Sequence, residues 1–146
     1  NFLLASTLNA VAAQRLALRI CGKCKAERPL PADIQKRIKD ELAKVDPQLL
    51  PNGIDLSGEL HEWYGKGCPA CKDSGYQGRV VIAEIVPVSE KMKRIIVDGF
   101  KSAEVEKELQ RLNVIRLIQD GLIKVLQGVT TAEEVLRVAA EVEEEF

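Results

Sequence analysis

The sequence predicts an α+β fold, mostly α, in which a small antiparallel ribbon carries a four-cysteine cluster and a C-terminal helical bundle follows. Three observations predict it. Two Cys-x-x-Cys elements, at positions 21–24 and 68–71, contain all four cysteines of the chain. A run of alternating apolar residues enters the first element, and a β-branched run follows the second. Beyond position 88, apolar residues recur at helical spacing.

The two Cys-x-x-Cys elements are typical of a structural metal site. Cys21 and Cys24 form the first, and Cys68 and Cys71 form the second. Two thiolates three positions apart can face one ion, because the chain turns back over it in a tight knuckle. Four thiolates fill a tetrahedral shell and leave no position for a catalytic water. We therefore predict one structural Zn²⁺ held by these four residues, which builds the fold and performs no chemistry.

Three alternatives to zinc stay open at this point. A rubredoxin-like iron site uses the same four ligands. A thioredoxin-like redox site needs only one of the two pairs and leaves the other without a role. Two disulfides require an oxidising compartment, and the sequence has nothing that resembles a secretory signal.

Composition limits the class of protein. The 146 residues fit one domain, and the 46% hydrophobic and 29% charged content is typical of a globular chain. The net charge of −1 is unlike the basic excess of proteins built to hold nucleic acid, so no nucleic-acid partner is expected. No apolar run reaches the roughly 18 residues of a membrane span. We expect a soluble, cytoplasmic product.

Residues 1–20 are predicted to form a helix followed by a strand. Leu4, Leu8 and Val11 recur at helical spacing, and other faces of the same segment are apolar too. From Leu16 to Ile20 the apolar residues alternate instead, which indicates a strand that runs into the first knuckle.

Residues 21–78 are interpreted as a zinc-binding unit that contains an excursion between the knuckles. Ile34, Ile38 and Leu42 predict one short helix in it. Residues 47–67 are rich in proline and glycine and are interpreted as loop. His61, the single histidine, lies there, and we do not expect it to be a ligand because four thiolates already complete the shell.

Residues 79–88 are predicted to return as a strand that is buried on both faces and ends at Pro87. If residues 79–86 pair antiparallel with residues 16–20, both knuckles come to the same end of the ribbon, where one ion can join them. Glu84 interrupts the apolar run, and a buried carboxylate must find a cation or a donor. For Glu84, a structural role as the partner of an arginine is favoured over acid–base chemistry.

Residues 89–146 are predicted to form a helical subdomain of four helices. The first begins at Ser89 and closes at Gly99, and the second begins near Ser102 and breaks at Asn113. The third ends at Gly128. The last opens with a capping box at residues 131–134, Thr-Ala-Glu-Glu.

The order of these parts resembles a known family. Residues 2–16 closely resemble the segment that follows the catalytic core in type II secretion and type IV pilus assembly ATPases. The resemblance continues through both knuckles and through residues 75–79, Gly-Tyr-Gln-Gly-Arg, where the family has Gly-Tyr-x-Gly-Arg. Glu84 falls on the family's strand glutamate, and residues 120–125 and 128–138 resemble its C-terminal helices.

The resemblance implies the C-terminal portion of a hexameric motor ATPase of the tetracysteine, zinc-binding type. Such a motor works in the cytoplasm against an inner-membrane platform protein, and the rest of the ATPase chain would be the nearest partner. ATP and Mg²⁺ belong to the full-length parent, because this chain has no phosphate loop and none of the family's other nucleotide motifs. No catalytic or cofactor-binding residue is therefore assigned here. Asn113 and Val114 stand where the family often has Gly-Met.

A free-standing zinc-ribbon-like adaptor for protein or nucleic acid is the alternative. A local basic cluster that could contact phosphate supports it, formed by Arg15, Arg19, Lys23, Lys25 and Arg28. Solubilising charge around a knuckle explains the same residues and fits the acidic balance elsewhere in the chain.

Overall fold

The computed structural model describes the backbone of residues 2–143 and the side chains of residues 2–140; the last positions of the predicted 89–146 unit lie outside these ranges. The chain opens with helix α1 (Phe2–Thr7) and strand β1 (Ala10–Ile20). The predicted helix is therefore too long, since residues 10–15 are strand. Their apolar spacing is compatible with a helix, but pairing with a distant strand decides the conformation.

The partner of β1 is strand β4 (Tyr76–Pro87). The two run antiparallel, with Ala10 opposite Pro87 and Leu16 opposite Val81, and the register shifts near Ile20. The predicted antiparallel pairing is confirmed for residues 16–18 with residues 79–81, whereas residues 82–86 lie opposite residues 11–15.

The prediction that the returning strand is buried on both faces is wrong. Ile82 and Ala17, which belong to one buried cluster, are fully buried, but Val81 and Ile85 on the opposite face are 41% and 62% exposed. The helices cover one side of this two-stranded ribbon only. A continuous β-branched run does not reveal this difference, because it suits a strand with either one or two covered faces.

A second ribbon pairs strand β2 (Lys25–Pro29) with strand β3 (His61–Gly65), also antiparallel. Residues 47–67 were predicted as loop, so β3 corrects that prediction; the segment also contains a single 3-10 turn, Pro47–Leu49. Each strand of this ribbon has only five residues, and the partners lie far apart in sequence. Such short strands carry little periodicity of their own.

Helix α2 (Ala32–Leu42) is the predicted excursion helix. It packs into the same core as helices α5 (Leu117–Leu126) and α6 (Ala132–Glu143). The buried members of this core are Leu30, Ile38, Leu42, Val45, Leu60, Leu122, Ile123, Val125, Ala132 and Val135. The excursion is thus anchored in the body of the domain.

Helices α3 (Glu90–Val97) and α4 (Ser102–Arg111) pack with α1 around a smaller core. Most of the predicted helix ends are confirmed, but the capping box at residues 131–134 is only half formed, because the Glu134 carboxylate binds Leu18 and Arg137. The Ser89 hydroxyl accepts the N–H of Met92 at 3.0 Å, and Asn113 and Gly128 adopt the left-handed conformation with φ of 50° and 69°. None of the helices in the described part of the chain is long and apolar enough to cross a bilayer.

Candidate metal centre

The four cysteines meet at the junction of the two ribbons. Cys21 follows β1 directly and Cys24 directly precedes β2. Cys68 follows β3, and Cys71 lies five residues before β4. All four sulfur atoms lie within 4.8 Å of one another. One end of each of the four strands therefore lies beside the cysteine cluster.

The spacing of the sulfur atoms fits a tetrahedral metal site. Four sulfurs bound to one zinc ion at about 2.3 Å lie about 3.8 Å apart. The Sγ–Sγ distances are 3.9 Å for Cys21 and Cys68, 3.8 Å for Cys24 and Cys71, and 3.6 Å for Cys68 and Cys71. These are far longer than the roughly 2.05 Å of a disulfide, and all four cysteines are free. The donor set suits zinc and iron alike.

The backbone of the second knuckle is shaped for this role. A 3-10 turn, Pro69–Cys71, brings the N–H of Cys71 to 3.1 Å from the carbonyl oxygen of Cys68. The N–H of Cys68 in turn donates to Sγ of Cys71 at 3.3 Å. Lys72 and Asp73 follow with φ of 51° and 60°, which reverses the chain toward β4. Hydrogen bonds to sulfur stabilise the thiolate form that binds a metal.

Two glycines let the ribbons touch beside the cysteines. A Cβ on Gly65 would overlap the carbonyl group of Gly75, and a Cβ on Gly75 would lie 2.5 Å from the carbonyl oxygen of Gly65. Gly75 also has a φ of +77° and accepts the N–H of Cys21 at 2.9 Å. The N–H of Lys66 donates to the carbonyl oxygen of Cys24 at 3.0 Å. Any side chain at either glycine would therefore push the two knuckles apart.

Hydrogen bonds separate the pKa values of two of the thiols. Burial raises the pKa of the Cys24 thiol to about 12, against the opposing effect of the Gly67 amide. At Cys71 burial also acts to raise the pKa, but the amides of Cys68 and Gly75 outweigh it, and the pKa falls to about 7. A divalent cation is the group that would let all four sulfurs remain thiolates in this buried position.

The other residues singled out in the sequence lie outside the sulfur cluster. His61 is exposed at the start of β3. Glu84 lies 3.0 Å from Nε of Arg116 and accepts the N–H of Leu117 at 3.0 Å, so it is the structural arginine partner that was favoured.

The basic cluster is divided between different environments. Arg28 forms an ion pair with Glu62 at 2.6 Å and stacks over Tyr64, and the Lys25 ammonium lies 4.7 Å from the ring centre of Trp63. Lys23 is exposed in the first knuckle. Arg28 and Lys25 are therefore engaged by side chains of β3.

Sequence reasoning missed the contacts that two residues of β3 make. Glu62 is buried in β3, and Trp63 packs against Gly128, where an added Cβ would lie 2.6 Å from Nζ of Lys25. Their role depends on the unpredicted strand β3, and the only local signal was the aromatic content of residues 61–65.

Comparison with known proteins shows the family of the chain. The sequence model of the family described as "Type II/IV secretion system protein" matches residues 1–137. The chain belongs to this family. The resemblance drawn from the knuckles and the flanking motifs is confirmed, and residues 1–137 include every element from α1 to α5 and the first half of α6.

Named ATPases are among the relatives. The chain is 38% identical over 135 residues to the type IV pilus assembly ATPase PilB of Myxococcus xanthus, covering 92% of this chain and 22% of that protein. It is 35% identical over 140 residues to the type II secretion system protein E of Aeromonas hydrophila, covering 96% and 25%. PilB of Pseudomonas aeruginosa is 34% identical over 139 residues, covering 94% and 22%. The chain thus spans a quarter of the length of these relatives or less.

Proposed function

We propose that this chain is the zinc-stabilised C-terminal accessory region of a hexameric motor ATPase for protein secretion or pilus assembly. One observation carries the proposal: a cluster of four cysteines joins two ribbons in a chain that aligns almost end to end with a quarter, or less, of secretion and pilus ATPases. A region of this kind contributes structure to the motor, and the chemistry belongs to the parts of those proteins beyond the alignment.

Zinc is the proposed occupant, held by Cys21, Cys24, Cys68 and Cys71. The sulfur distances of 3.6 to 3.9 Å suit a closed four-sulfur shell. When bound, the ion supplies positive charge that holds four buried thiolates together. Each knuckle contributes two of them, so the ion would fasten β1 and β4 to β2 and β3.

The exposed apolar surface supports a role as part of a larger chain. Phe2 and Leu3 in α1 are 74% and 76% exposed. On the uncovered face of the first ribbon, Leu16 is 51% exposed next to Val81 and Ile85. Apolar patches of this kind mark contacts with other protein surfaces. We assign them to the rest of the ATPase chain, with the platform protein at the cytoplasmic side of the inner membrane as the further partner.

The test is nucleotide turnover by the purified 146-residue chain compared with a full-length parent. The chain has no phosphate loop to hold the β- and γ-phosphates, so we expect no ATP hydrolysis above background by the chain alone. The parent should hydrolyse ATP and assemble as a hexamer. Turnover that rises in proportion to the concentration of the isolated chain would refute the proposal.

A further inference from the structure

The turn between α5 and α6 is held by both ribbons at once. From the first ribbon, the N–H of Ile20 donates to the carbonyl oxygen of Val129 at 3.0 Å, and the hydroxyl of Thr130 donates to the carbonyl oxygen of Leu18 at 2.7 Å. From the second ribbon, Trp63 packs on Gly128. The turn therefore lies where the two ribbons, joined by the cysteines, face the helical core.

Glu62 is the most direct link between the second ribbon and this turn. It is 3% exposed. Its Oε1 accepts from Nε and Nη2 of Arg28 at 2.9 and 2.6 Å, and its Oε2 accepts the N–H of Ala132, the first residue of α6, at 3.0 Å. The first N–H groups of a helix have no partner within the helix, and a negative charge there also complements the helix dipole. Glu62 thus supplies the N-terminal partner of α6 from a separate ribbon.

The second ribbon depends on the cysteine cluster at one end only. Leu30 and Leu60, at the end away from the cysteines, are buried in the main core. At the other end Cys24 precedes β2, and Cys68 follows β3 after two residues. A ribbon of only two strands is marginally stable by itself in water, so the cysteine end is where this ribbon would open first.

We infer that Glu62 couples the state of the metal centre to the start of α6, so that binding of the metal orders the α5–α6 turn. With the metal bound, β3 is fixed and Glu62 holds the N–H of Ala132. Without it, the cysteine end of the ribbon opens, and both the Glu62 contact and the Trp63 contact with Gly128 weaken. The smaller core around α3 and α4 has no part in this linkage, since its buried residues are separate from the main core.

The test is amide hydrogen exchange on the ¹⁵N-labelled 146-residue chain, zinc-loaded and after zinc is removed by a chelator. Metal content is measured first. We expect the Ala132 amide to exchange roughly tenfold faster or more without zinc, while the Ile96 amide in α3 keeps its protection. The fluorescence of Trp63, the single tryptophan, should shift at the same time.

The variant Glu62→Gln separates coupling from metal binding. It should still bind one zinc. Glutamine has a single acceptor oxygen, which the two donors of Arg28 would occupy, so the Ala132 amide should exchange fast with and without the metal. Glu27→Gln is the matched control, because Glu27 lies exposed on β2 directly opposite Trp63. It should behave as the parent chain does. If Glu62→Gln does not fold, the comparison of the zinc-loaded and zinc-free parent chain decides by itself.

The inference rests on metal binding by the four cysteines, and the results distinguish the two. A chain that binds no metal refutes both this coupling and the zinc site of the proposed function. A chain that binds zinc but shows the same Ala132 exchange in both states refutes the coupling alone. Equal loss of protection at Ala132 and Ile96 also refutes it, because the metal would then stabilise the whole fold without a directed link.

Discussion

Glu84 in β4 accepts the backbone N–H of Leu117, the first residue of α5, at 3.0 Å. Its other oxygen lies 3.0 Å from Nε of Arg116. Glu62 meets Ala132 at the start of α6 in the same way. Two of the three helices of the main core, α5 and α6, thus begin against a carboxylate that a strand provides. This arrangement satisfies the unpaired N–H groups of a helix start and fixes each helix to a ribbon.

Replacement of Glu84 by alanine should destabilise the chain. The change leaves the Leu117 N–H and the partly buried Arg116 without this partner, and the loss of such an acceptor costs about 1–3 kcal/mol in the free energy of unfolding. The measurement is the urea midpoint at constant zinc concentration. Glu104→Ala is the control, because Glu104 is exposed and its ion pair with Lys101 is long, at 3.7 Å. Equal midpoints for the two variants would contradict the role given to Glu84.

Serine at Cys68 and Cys71 should abolish metal binding. Only two sulfurs would remain, and zinc affinities equivalent to about 10–16 kcal/mol in four-ligand peptides show how much stability is involved. Metal analysis should fall from one ion per chain to none. In a full-length parent we expect loss of assembly or coupled activity with nucleotide binding largely retained. Lys72→Ser, an exposed neighbour of Cys71, is the control and should keep its metal. Iron found as the native occupant of the site would contradict the assignment to zinc.

Alanine at Gly65 should weaken the metal site without touching a ligand. The added Cβ would overlap the backbone of Gly75 and force the knuckles apart, and overpacking of this kind costs about 1–3 kcal/mol. The zinc affinity of Gly65→Ala, measured by competition with a chromogenic chelator, should be lower than that of the parent chain. Gly22→Ala is the control inside the first knuckle, because nothing lies within 4 Å of a Cβ there. If both variants bind zinc as the parent chain does, the close approach of the ribbons has no bearing on the site.

Acid should weaken the packing of α3 against α4 through Glu108. Hydrogen bonds from Arg111, then from Ser89, hold the pKa of the Glu108 carboxyl well below its usual range. A carboxyl whose pKa is lowered on folding stabilises the fold above its unfolded pKa of about 4.3, and loses that contribution as the pH falls below this value.

The measurement is the difference in unfolding midpoint between the parent chain and Glu108→Gln, from pH 7 down to pH 3. Loss of metal in acid affects both proteins, so it cancels in this difference. The parent should be the more stable at pH 7, and its advantage should shrink steadily below about pH 4.3. An advantage that stays constant over this range would show that the charge of Glu108 does not matter.

Local signals in the sequence determined the knuckles, the helix caps and the order of the elements. A Cys-x-x-Cys turn, a serine before a helix or a glycine after one acts within a few residues, so its chemistry is visible in a short window. Ser89 and Gly128 are examples, and both cap the helices that were predicted. The antiparallel pairing of residues 16–18 with residues 79–81 was also predictable, because one ion must join both knuckles.

Only the tertiary structure decided the contacts that join distant segments. Residues 10–15 suit a helix by spacing but become strand because β4 offers them a partner. Strand β3 has five residues and little periodicity, and it forms because β2 meets it at the cysteine cluster. The capping residues of the last helix show the same division. Thr131 accepts the N–H of Glu134 at 3.4 Å as the local pattern predicts, but the Glu134 carboxylate accepts the N–H of Leu18 at 2.9 Å, far away in sequence. Such partners are chosen by packing, and a short window of sequence does not contain them.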